Sequence, residues 1–430
     1  MRSKTNCLMS AAALSFGILL IVHPVRGQAP RTLMAAQTTQ YSITDLGTLG
    51  GDNSIPYWIT DRGDVIGVSD TGQFDRFGNP IDHAFRWRKG IMQDLGTLGD
   101  VDSVGLGGNN KGAVVGNNSY NINHALLWYN GAVADLGTLV GSSGYSSAQQ
   151  INNAGQAVGT SAAGDGTFHA VLWNQGAIED LGTLGGPNTS TYSIGNGINN
   201  RGQIVGDAQE NSIVNPLLGF PPFYPTIWDK GTVMKLGGEP SYAFAGDAFN
   251  IDNEGGVVGR IAVADSKEGA VAHAYVWKAG VMHDLGVPAG DDNSEAISLN
   301  DRGQIVGDSG VGSILSYVPD HALLWRNGGD DAFSWRNAWV DLNTLIAPDS
   351  GYYLIKAFDV NARGQVAVCA VQQSTGDIHA ALLSPQPSKI SPGNSALTSD
   401  AAPHLSVHAL RLLARGQRMK SGAALERLLN

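Results

Sequence analysis

The chain has 430 residues, of which 57 are glycine, and its charged and hydrophobic shares are 15% and 42%. The shortage of Glu, Lys and Arg excludes a coiled coil, the hydrophobic share argues against disorder driven by charge, and glycine lacks the three-residue period of collagen. The net charge is −11; because residues 1–27 carry +3 and residues 385–430 carry +4, the body between them carries −18. Such a body repels phosphate backbones, so we expect no nucleic-acid partner.

Residues 1–27 have the pattern of a secretory signal peptide. Two basic residues precede Leu8–Val22, an uncharged and mostly apolar stretch of 15 residues, and Val25 and Gly27 stand at positions −3 and −1 of a cleavage site. A membrane anchor is the alternative, but the stretch is shorter than the ~20 residues of a spanning helix. We therefore predict a secreted protein, extracellular or periplasmic.

The sequence contains two cysteines, Cys7 and Cys369. Cleavage of the signal peptide would remove Cys7, so no disulfide could form within the mature chain. Cys369 lies in a strand-like run and is predicted to be a buried structural thiol.

Three motifs recur seven times in a constant order, at a mean spacing of about 49 residues. The first is Asp-Leu-Gly-Thr-Leu or a weakened form, beginning at Asp45, Asp94, Asp135, Asp180, Lys235, Asp284 and Asp341. The second resembles Ile-Asn-Asn-Arg-Gly-Gln-Ile-Val-Gly and ends at Gly67, Gly116, Gly159, Gly206, Gly259, Gly307 and, imperfectly, Val368. The third is His-Ala-x-x-Trp, beginning at His83, His124, His169, His273 and His321, with altered copies at Tyr224 and His379.

Each repeat predicts four short strands, which we call a, b, c and d. The second motif joins strands a and b through a glycine turn, the third motif is strand c, and the first motif ends strand d. Seven such antiparallel units predict an all-β fold, a seven-bladed β-propeller over residues 41–383. The series begins with a lone strand d and ends with a lone strand c, so the N-terminal strand is predicted to close the ring. An open β-solenoid is the alternative.

These motifs resemble those of the bacterial extracellular HAF-repeat proteins, named for the His-Ala-Phe that stands here at His83-Ala84-Phe85. The other copies that begin with His keep the Ala and replace the Phe. The resemblance covers about residues 41–383 and implies a secreted, β-propeller-like repeat protein. It implies no activity for particular residues.

Residues that recur in every blade are predicted to serve folding. The six motif histidines lie far apart around a ring, so we interpret them as hydrogen-bonding residues that tie strands or turns, not as metal ligands. The Trp of the third motif is predicted to fill the space between blades. The Asp of the first motif is predicted to cap a turn.

Ligand sites are expected where the repeat is interrupted. Long insertions between strands b and c build up one face of the ring, where propellers bind ligands. The insertion in blade four brings Phe220, Phe223 and Tyr224 beside prolines, as aromatic candidates for stacking on a sugar or holding a peptide, although the loop could instead fold over its own small core. An insertion in blade six, on the opposite face, adds Trp335 and Trp339 as a candidate partner patch.

Three charged residues are the candidates for catalysis. Asp247, Glu295 and Lys356 each lie four residues before the apolar residue of the second motif, in consecutive blades. At one level near a channel mouth they could act as acid and base, bind a ligand, or form an ion-pair cluster. No metal site or cofactor is predicted; calcium is an alternative at the turn-like segments 51–54 and 290–294, which offer oxygen ligands.

The C-terminal part differs from the repeats. Residues 384–403 are rich in Ser, Pro and Ala and are predicted to be a linker. Residues 404–430 have leucines at helical spacing together with the bases Arg411, Arg415, Arg418 and Lys420, which predicts an amphipathic helical tail. The tail could dock on the acidic propeller, stay loosely ordered, or touch a membrane.

The function that this pattern favours is an extracellular binding module for a carbohydrate, peptide or protein. The first alternative is a hydrolase or lyase acting on extracellular polysaccharide, with Asp247 and Glu295 as acid and base. The second is a structural surface protein without a ligand. An enzyme is the less favoured interpretation, and membrane contact is expected only through the tail.

Overall fold

A computed structural model describes residues 39–118, 123–186, 189–238, 240–314, 318–326 and 338–386, together with 405 and 413. The predicted signal peptide, the linker beyond residue 386 and all of the tail except Leu405 and Leu413 lie outside these residues. In the part that is described, no helix is long and apolar enough to cross a membrane.

The described chain forms 28 strands in seven sheets of four. Strand β1, Tyr41–Asp45, precedes the first complete blade. Blade one contains β2 to β5, which are Ser54–Ile59, Val65–Phe74, Pro80–Arg88 and Ile91–Asp94. Blade two contains β6 to β9, which are Ser103–Gly108, Val114–Asn118, Ala125–Tyr129 and Ala132–Asp135. Blade three contains β10 to β13, which are Ser146–Ile151, Ala157–Ala162, Phe168–Asn174 and Ala177–Asp180.

The remaining blades follow the same order. Blade four contains β14 to β17, which are Ser193–Ile198, Ile204–Gln209, Phe223–Asp229 and Thr232–Lys235. Blade five contains β18 to β21, which are Ala243–Ile251, Val257–Asp265, Gly269–Lys278 and Val281–Asp284. Blade six contains β22 to β25, which are Asn293–Leu299, Gln304–Val311, Val318–Arg326 and Trp339–Asp341, followed by a short 3-10 helix, Leu342–Leu345. Blade seven contains β26 to β28, which are Tyr352–Val360, Val366–Gln372 and Ile378–Pro385.

The N-terminal strand closes the ring, as predicted. Strand β1 pairs antiparallel with β28, with Tyr41 opposite Pro385 and Asp45 opposite Ala381. The order β1-β28-β27-β26 makes blade seven a four-stranded sheet like the other six. The seven-bladed, all-β propeller is therefore confirmed.

The direction of the strands defines two faces of the propeller. The b–c loops and d–a connections lie at one end of every blade, and we call this end the upper face. The a–b and c–d turns lie at the other end, the lower face. Five c–d turns share one conformation, in which a residue with φ of 49° to 52° precedes a glycine that also has positive φ. These are tight two-residue hairpin turns.

The last glycine of the second motif is required by a close approach of strands a and b. A Cβ on Gly116 would lie 1.9 Å from the carbonyl oxygen of Val104, and Gly206 meets Ile194 at the same distance. Strand a has an irregular register next to this contact, between Gly105 and Gly107 in blade two and between Gly195 and Gly197 in blade four. The motif thus encodes a bulge in the inner strand.

Apolar clusters lie between neighbouring blades. Trp128 packs with Ile66 and Ala84 of blade one, and Trp173 packs with Ala113 and Val115 of blade two. The motif tryptophans therefore fill the space between blades, as predicted. Cys369 is free and buried, also as predicted.

The histidine and aspartate motifs bond to each other within a blade. His83 Nδ1 lies 2.8 Å from Asp94 Oδ2, and the same contact joins His124 to Asp135, His169 to Asp180, His273 to Asp284 and His379 to Asp45. The other oxygen of each aspartate accepts a hydrogen bond from the glycine N–H two residues later, at 2.7 Å for Asp94 and Gly96. Both predicted roles are therefore confirmed: the histidine ties strands c and d, and the aspartate caps the turn.

Candidate functional site

Asparagine side chains form a ring of hydrogen bonds around the lower mouth of the channel. Asn152 Nδ2 donates to the carbonyl oxygen of Asn199 in the next blade at 3.1 Å, and Asn199 donates in turn to Asp252. A second ring links backbone N–H groups to the next blade's side-chain oxygens, as from Asn153 to Asn200 at 2.9 Å. It returns from blade seven to blade one through Ala362 N and Asp61 Oδ1.

This lower mouth is open to solvent, holds about 680 Å³ of space when that solvent is included, and is lined by the Asn-Asn pairs of the second motif. From the sequence alone, these pairs are expected only to form turns. Because their side-chain bonds run to the neighbouring blade, they reinforce the ring. The sequence feature that could have indicated this role is the second Asn or Asp of each pair, because a tight a–b turn forms without it.

The structure brings Asp247, Glu295 and Lys356 together, but inside the wall of the propeller. Arg260 joins the two carboxylates, with Nε 2.5 Å from Asp247 Oδ2 and Nη1 2.5 Å from Glu295 Oε1. Lys356 Nζ lies 3.4 Å from Glu295 Oε2 and 2.5 Å from Asp308 Oδ2. All five residues are buried. They form one ion-pair network across blades five to seven, not an acid–base site at an open channel mouth.

The network holds more acid than base. Asp207 of blade four lies beside it and accepts a hydrogen bond from Ala248 N at 2.8 Å. Burial, reinforced by the charge of Asp247, raises the pKa of Asp207 well above its usual range. Burial also raises the pKa of Asp247, although Arg260 opposes the shift. The charges of Asp308 and Glu295 raise the pKa of Lys356 against the effect of its burial.

These shifts predict that the protein loses stability as the pH rises from about 5 to about 8. Asp207 and Asp247 have folded pKa values above the unfolded value of ~3.9, and those of His83 and His169 lie above ~6.5 because of their bonds to aspartate. A group whose folded pKa is raised stabilises the fold fully below its unfolded pKa, and this contribution is lost as the pH rises through the folded pKa.

The aspartates of the His–Asp pairs affect the pH dependence of stability in the opposite direction, because their pKa values are lowered. Although burial opposes it, hydrogen bonds hold the pKa of Asp94 and of Asp180 below the usual value, so their contribution is lost only as the pH falls below about 4. Thermal melts across pH 4 to 9 should therefore show the highest Tm between about pH 4 and 5. Asp207→Asn should flatten the slope on the alkaline side. A Tm that rises between pH 5 and 8 would contradict the assignment.

A cleft opens on the upper face above one end of the ion-pair network. It is shallow, with about 320 Å³ of space between its walls when the open solvent at its mouth is included, and it lies between blades four, five and six. Its apolar lining consists of Leu218, Phe220, Phe223, Ala245, Ala262 and Ile314. Asp247 and Arg260 also line it. Two of the aromatic candidates of blade four, Phe220 and Phe223, therefore meet the charged candidate Asp247 in one cleft.

The insertion in blade four folds into a turn that forms one wall of this cleft. Asn215 N donates to Phe220 O at 3.0 Å, and the backbone of Gly219 returns to Asn215. Leu218 is buried against blade five, and Phe223 is buried and lines the cleft. Phe220 is half-buried in the same cluster. The loop thus builds the small core that we considered and also leaves a cleft beside it.

Exposed apolar residues stand close in sequence to the residues that line the cleft, and we call them its rim. Ile213, Val214 and Leu217 of the same insertion are exposed by 73%, 55% and 48%. Val311 at the end of β23 and Val318 at the start of β24, which flank the connection that carries Ile314, are exposed as well. Monomeric proteins rarely expose large apolar side chains in groups, and such groups mark binding surfaces.

The other aromatic candidates lie away from the cleft lining. Tyr224 is half-buried and has Lys235 Nζ 3.7 Å from its ring centroid. Trp339 is half-buried and packs against the core between blades five and six. Trp335 lies outside the described residues.

Two residues of the C-terminal tail pack on the propeller. Leu413 is buried in a cluster with apolar residues of blades seven, one and two, among them Tyr57, Leu106 and Phe358. Leu405 packs against the same cluster. Of the three alternatives for the tail, these contacts agree with docking on the propeller.

Blade six departs from the histidine–aspartate pattern. His321 bonds to Asp291, at 3.3 Å, instead of to Asp341 of its own strand d. Asp291, Asp320 and His321 place one ligand atom each within 4.8 Å of one another. The other turn considered for calcium is occupied by the chain itself, since Asn53 Oδ1 accepts a hydrogen bond from Ile378 N. The His321–Asp291 bond accounts for the geometry in blade six, and calcium there stays a prediction.

No protein-family model and no curated protein matches the sequence. Among solved structures, the chain is similar to the β-propeller domain of the Trilobed protease from Pyrococcus furiosus, with 10% identity, a TM-score of 0.46, and coverage of 77% of this chain and 93% of that one. It is also similar to YCF48 bound to D1 peptide, with 12% identity, a TM-score of 0.43, and coverage of 83% and 97%. A puromycin-hydrolyzing peptidase of Mycobacterium tuberculosis gives 12% identity, a TM-score of 0.47, and coverage of 76% and 52%. The likeness concerns the propeller fold and carries no argument about function.

Proposed function

We propose that this propeller is a secreted binding module whose upper face takes up a hydrophobic segment of a peptide or protein partner. The observation that carries the proposal is the apolar cleft between blades four, five and six with its exposed rim. The pattern of residues 1–27 and the likeness of the motifs to HAF repeats support secretion to the periplasm or the cell exterior.

The chemistry of the cleft favours a peptide over a carbohydrate. A sugar needs hydrogen-bonding groups beside an exposed aromatic face, whereas this lining is aliphatic or aromatic apart from Asp247 and Arg260. Arg260 is already bonded to Asp247 and Glu295, and its side chain is only 8% exposed. A hydrophobic anchor on a peptide can be buried there without leaving these polar groups unpaired.

The charge of the upper face favours a basic partner. Eight acidic residues are exposed there in the described chain: Asp52, Asp94, Asp135, Asp165, Asp180, Glu210, Asp265 and Asp349. Only two exposed bases, Arg76 and Lys267, lie on the same face within those residues. Such a field speeds the approach of a cationic segment and repels an anionic one.

The enzymatic alternative has less support. Glu295 and Lys356 are buried, bonded into the network and absent from the cleft lining. Asp247 reaches the cleft, but its carboxylate is held by Arg260 at 2.5 Å. A group held in this way supports a structural role better than proton transfer to a substrate.

Selection from a random peptide library displayed on phage tests the proposal. Peptides enriched on the immobilised protein should carry a large hydrophobic residue flanked by Lys or Arg. Leu217→Asp, which places a charge on the rim, should weaken the selected peptides at least about tenfold, because a buried hydrophobic anchor contributes about 1.5–3 kcal/mol.

Val140→Asp is the matched control. Val140 is exposed by 41%, lies on the upper face at blade two, and gains the same charge. Peptides that lose affinity equally in both variants would show a general charge effect and contradict a site at the cleft. Enrichment of no peptide, together with binding to a glycan array, would favour the carbohydrate alternative.

A further inference from the structure

Exposed charge is segregated between the two faces of the propeller. The lower face carries nine exposed bases in the described chain: Arg62, Arg88, Lys89, Lys111, Arg201, Lys230, Lys278, Arg302 and Arg363. Its exposed acids, within the same residues, are Asp61, Glu254 and Asp301. The upper face has the opposite balance, eight acids to two bases. A protein whose body carries −18 thus presents a basic surface in one direction.

The a–b turns concentrate this charge in a ring around the lower mouth. The third position of the turn holds a base in five of the seven blades, namely Arg62, Lys111, Arg201, Arg302 and Arg363. Blades three and five hold Ala154 and Glu254 there. Among the nine exposed bases, described salt bridges involve only Arg88 with Asp64 and Lys278 with Glu254. The turn bases therefore direct their charge to the outside.

The c–d turns add both charge and apolar side chains to the same face. Lys89 and Lys230 occupy the positive-φ position of their turns, where asparagine or glycine would be less strained. Ile91, Tyr129 and Val281 stand next to these turns and are exposed by 71%, 44% and 47%. Bases and single apolar side chains are thus interspersed across the lower face.

The shape of this face fits a flat anionic surface better than a thread-like polymer. The described a–b and c–d turns are tight, so they form no wall along which a chain could lie. The bases are arranged around a ring instead of along a groove. Apolar side chains near basic ones can be buried at the boundary between lipid headgroups and acyl chains. A soluble acidic polysaccharide offers no apolar region in which they could be buried.

We propose that the lower face binds the surface of a membrane that contains anionic lipids. The bound protein would hold its acidic upper face and the cleft away from the lipid, free for a partner. This inference is independent of the proposed peptide site, because no residue is shared between them. It also differs from contact through the tail, whose described residues pack on the propeller.

Vesicle co-sedimentation of the full chain tests this surface. Binding is expected to phosphatidylcholine vesicles that contain about 30% phosphatidylserine, and not to phosphatidylcholine alone. Replacing Arg62, Arg201, Arg302 and Arg363 with Gln should weaken binding at least about 100-fold, given the attraction of each base to an anionic surface. Binding should also be lost as salt is raised from about 0.05 to 0.5 M.

Two control variants separate the lower face from other bases. Arg76→Gln with Lys267→Gln removes charge from the upper face and should leave binding unchanged. Arg411→Gln with Arg415→Gln and Arg418→Gln removes three of the five bases of the tail. Loss of binding in this variant, with retention in the lower-face variant, would overturn the proposal. Binding to soluble heparin but not to vesicles would also overturn it, in favour of an acidic polysaccharide. An unchanged Tm shows that each variant is folded.

Discussion

Replacing Arg260 with methionine is expected to lower the free energy of unfolding by about 3–5 kcal/mol at neutral pH. The guanidinium contacts both Asp247 and Glu295, and the side chains of all three residues are at least nine-tenths buried. Methionine fills a similar volume but leaves Asp247 without its buried cationic partner. Urea unfolding followed by circular dichroism measures the loss.

The pH dependence of this variant distinguishes lost charge pairing from lost packing. Without Arg260, Asp247 can lower its cost by taking up a proton, so Arg260→Met should be less destabilised at pH 5 than at pH 8. Asp247→Asn in the same chain should restore part of the stability. Arg302→Met, which removes an exposed arginine, should change stability by less than about 0.5 kcal/mol. Equal losses at both pH values would indicate a packing defect instead.

The fold could be predicted from the sequence because every blade carries the same motifs in the same order. Gly116 and Gly206 lie where strands a and b approach closely, and the His83–Asp94 contact joins strands c and d. A single copy of either motif is ambiguous, whereas seven copies in one order favour closure of a ring. The lone strand at Tyr41–Asp45 then has one place left to pair.

Contacts between blades were harder to predict from the sequence. The repeat places Asp247 and Glu295 at one level, whereas Arg260 lies outside the aligned strand a positions and stands directly across from Asp247 on the neighbouring strand. Cross-strand neighbours share a face of the sheet, so a comparison of the strand b positions would have paired these charges. The asparagine rings were missed for a related reason, since their partners lie about 50 residues away in the next blade.

The exposure of individual side chains in the cleft could not be predicted from the sequence either. The insertion in blade four was recognised as a departure from the repeat, yet its aromatic residues were considered as exposed platforms. Phe223 is buried, and the exposed surface comes from Ile213, Val214 and Leu217. Which side chains of a loop face the solvent depends on how the loop packs on its neighbour, here blade five, and the repeat gives no information about that packing.

Asp45→Ala is expected to destabilise the protein more than the same change in any interior blade. Asp45 accepts hydrogen bonds from Gly47 N, from His379 Nδ1 and Tyr352 Oη at 2.8 Å, and from Gln372 Nε2 at 3.2 Å. Burial and the bond to Asp45 raise the pKa of Tyr352 to about 12, so the phenol stays a donor at neutral pH. The loss should be about 2–3 kcal/mol, since bonds to a charged acceptor contribute more than neutral ones.

Asp94→Ala is the matched control for this prediction. Asp94 holds the same motif position in blade one and bonds to His83 and Gly96 within its own blade, so its removal should cost about 1 kcal/mol. Asp45, in contrast, fastens the N-terminal strand to residues more than 300 positions later in the chain.

The two variants should differ in hydrogen exchange, because only Asp45→Ala weakens the closure of the ring. In Asp45→Ala, amide hydrogen exchange should accelerate in β1 and β28, whereas in Asp94→Ala it should accelerate only in blade one. Deleting residues 1–45 should go further, because β28 becomes an exposed edge that can pair with another chain. Light scattering should then detect oligomers. Equal exchange in the two substitution variants, with a monomeric truncated chain, would show that blade seven is stable without the N-terminal strand and that closure contributes little to the fold.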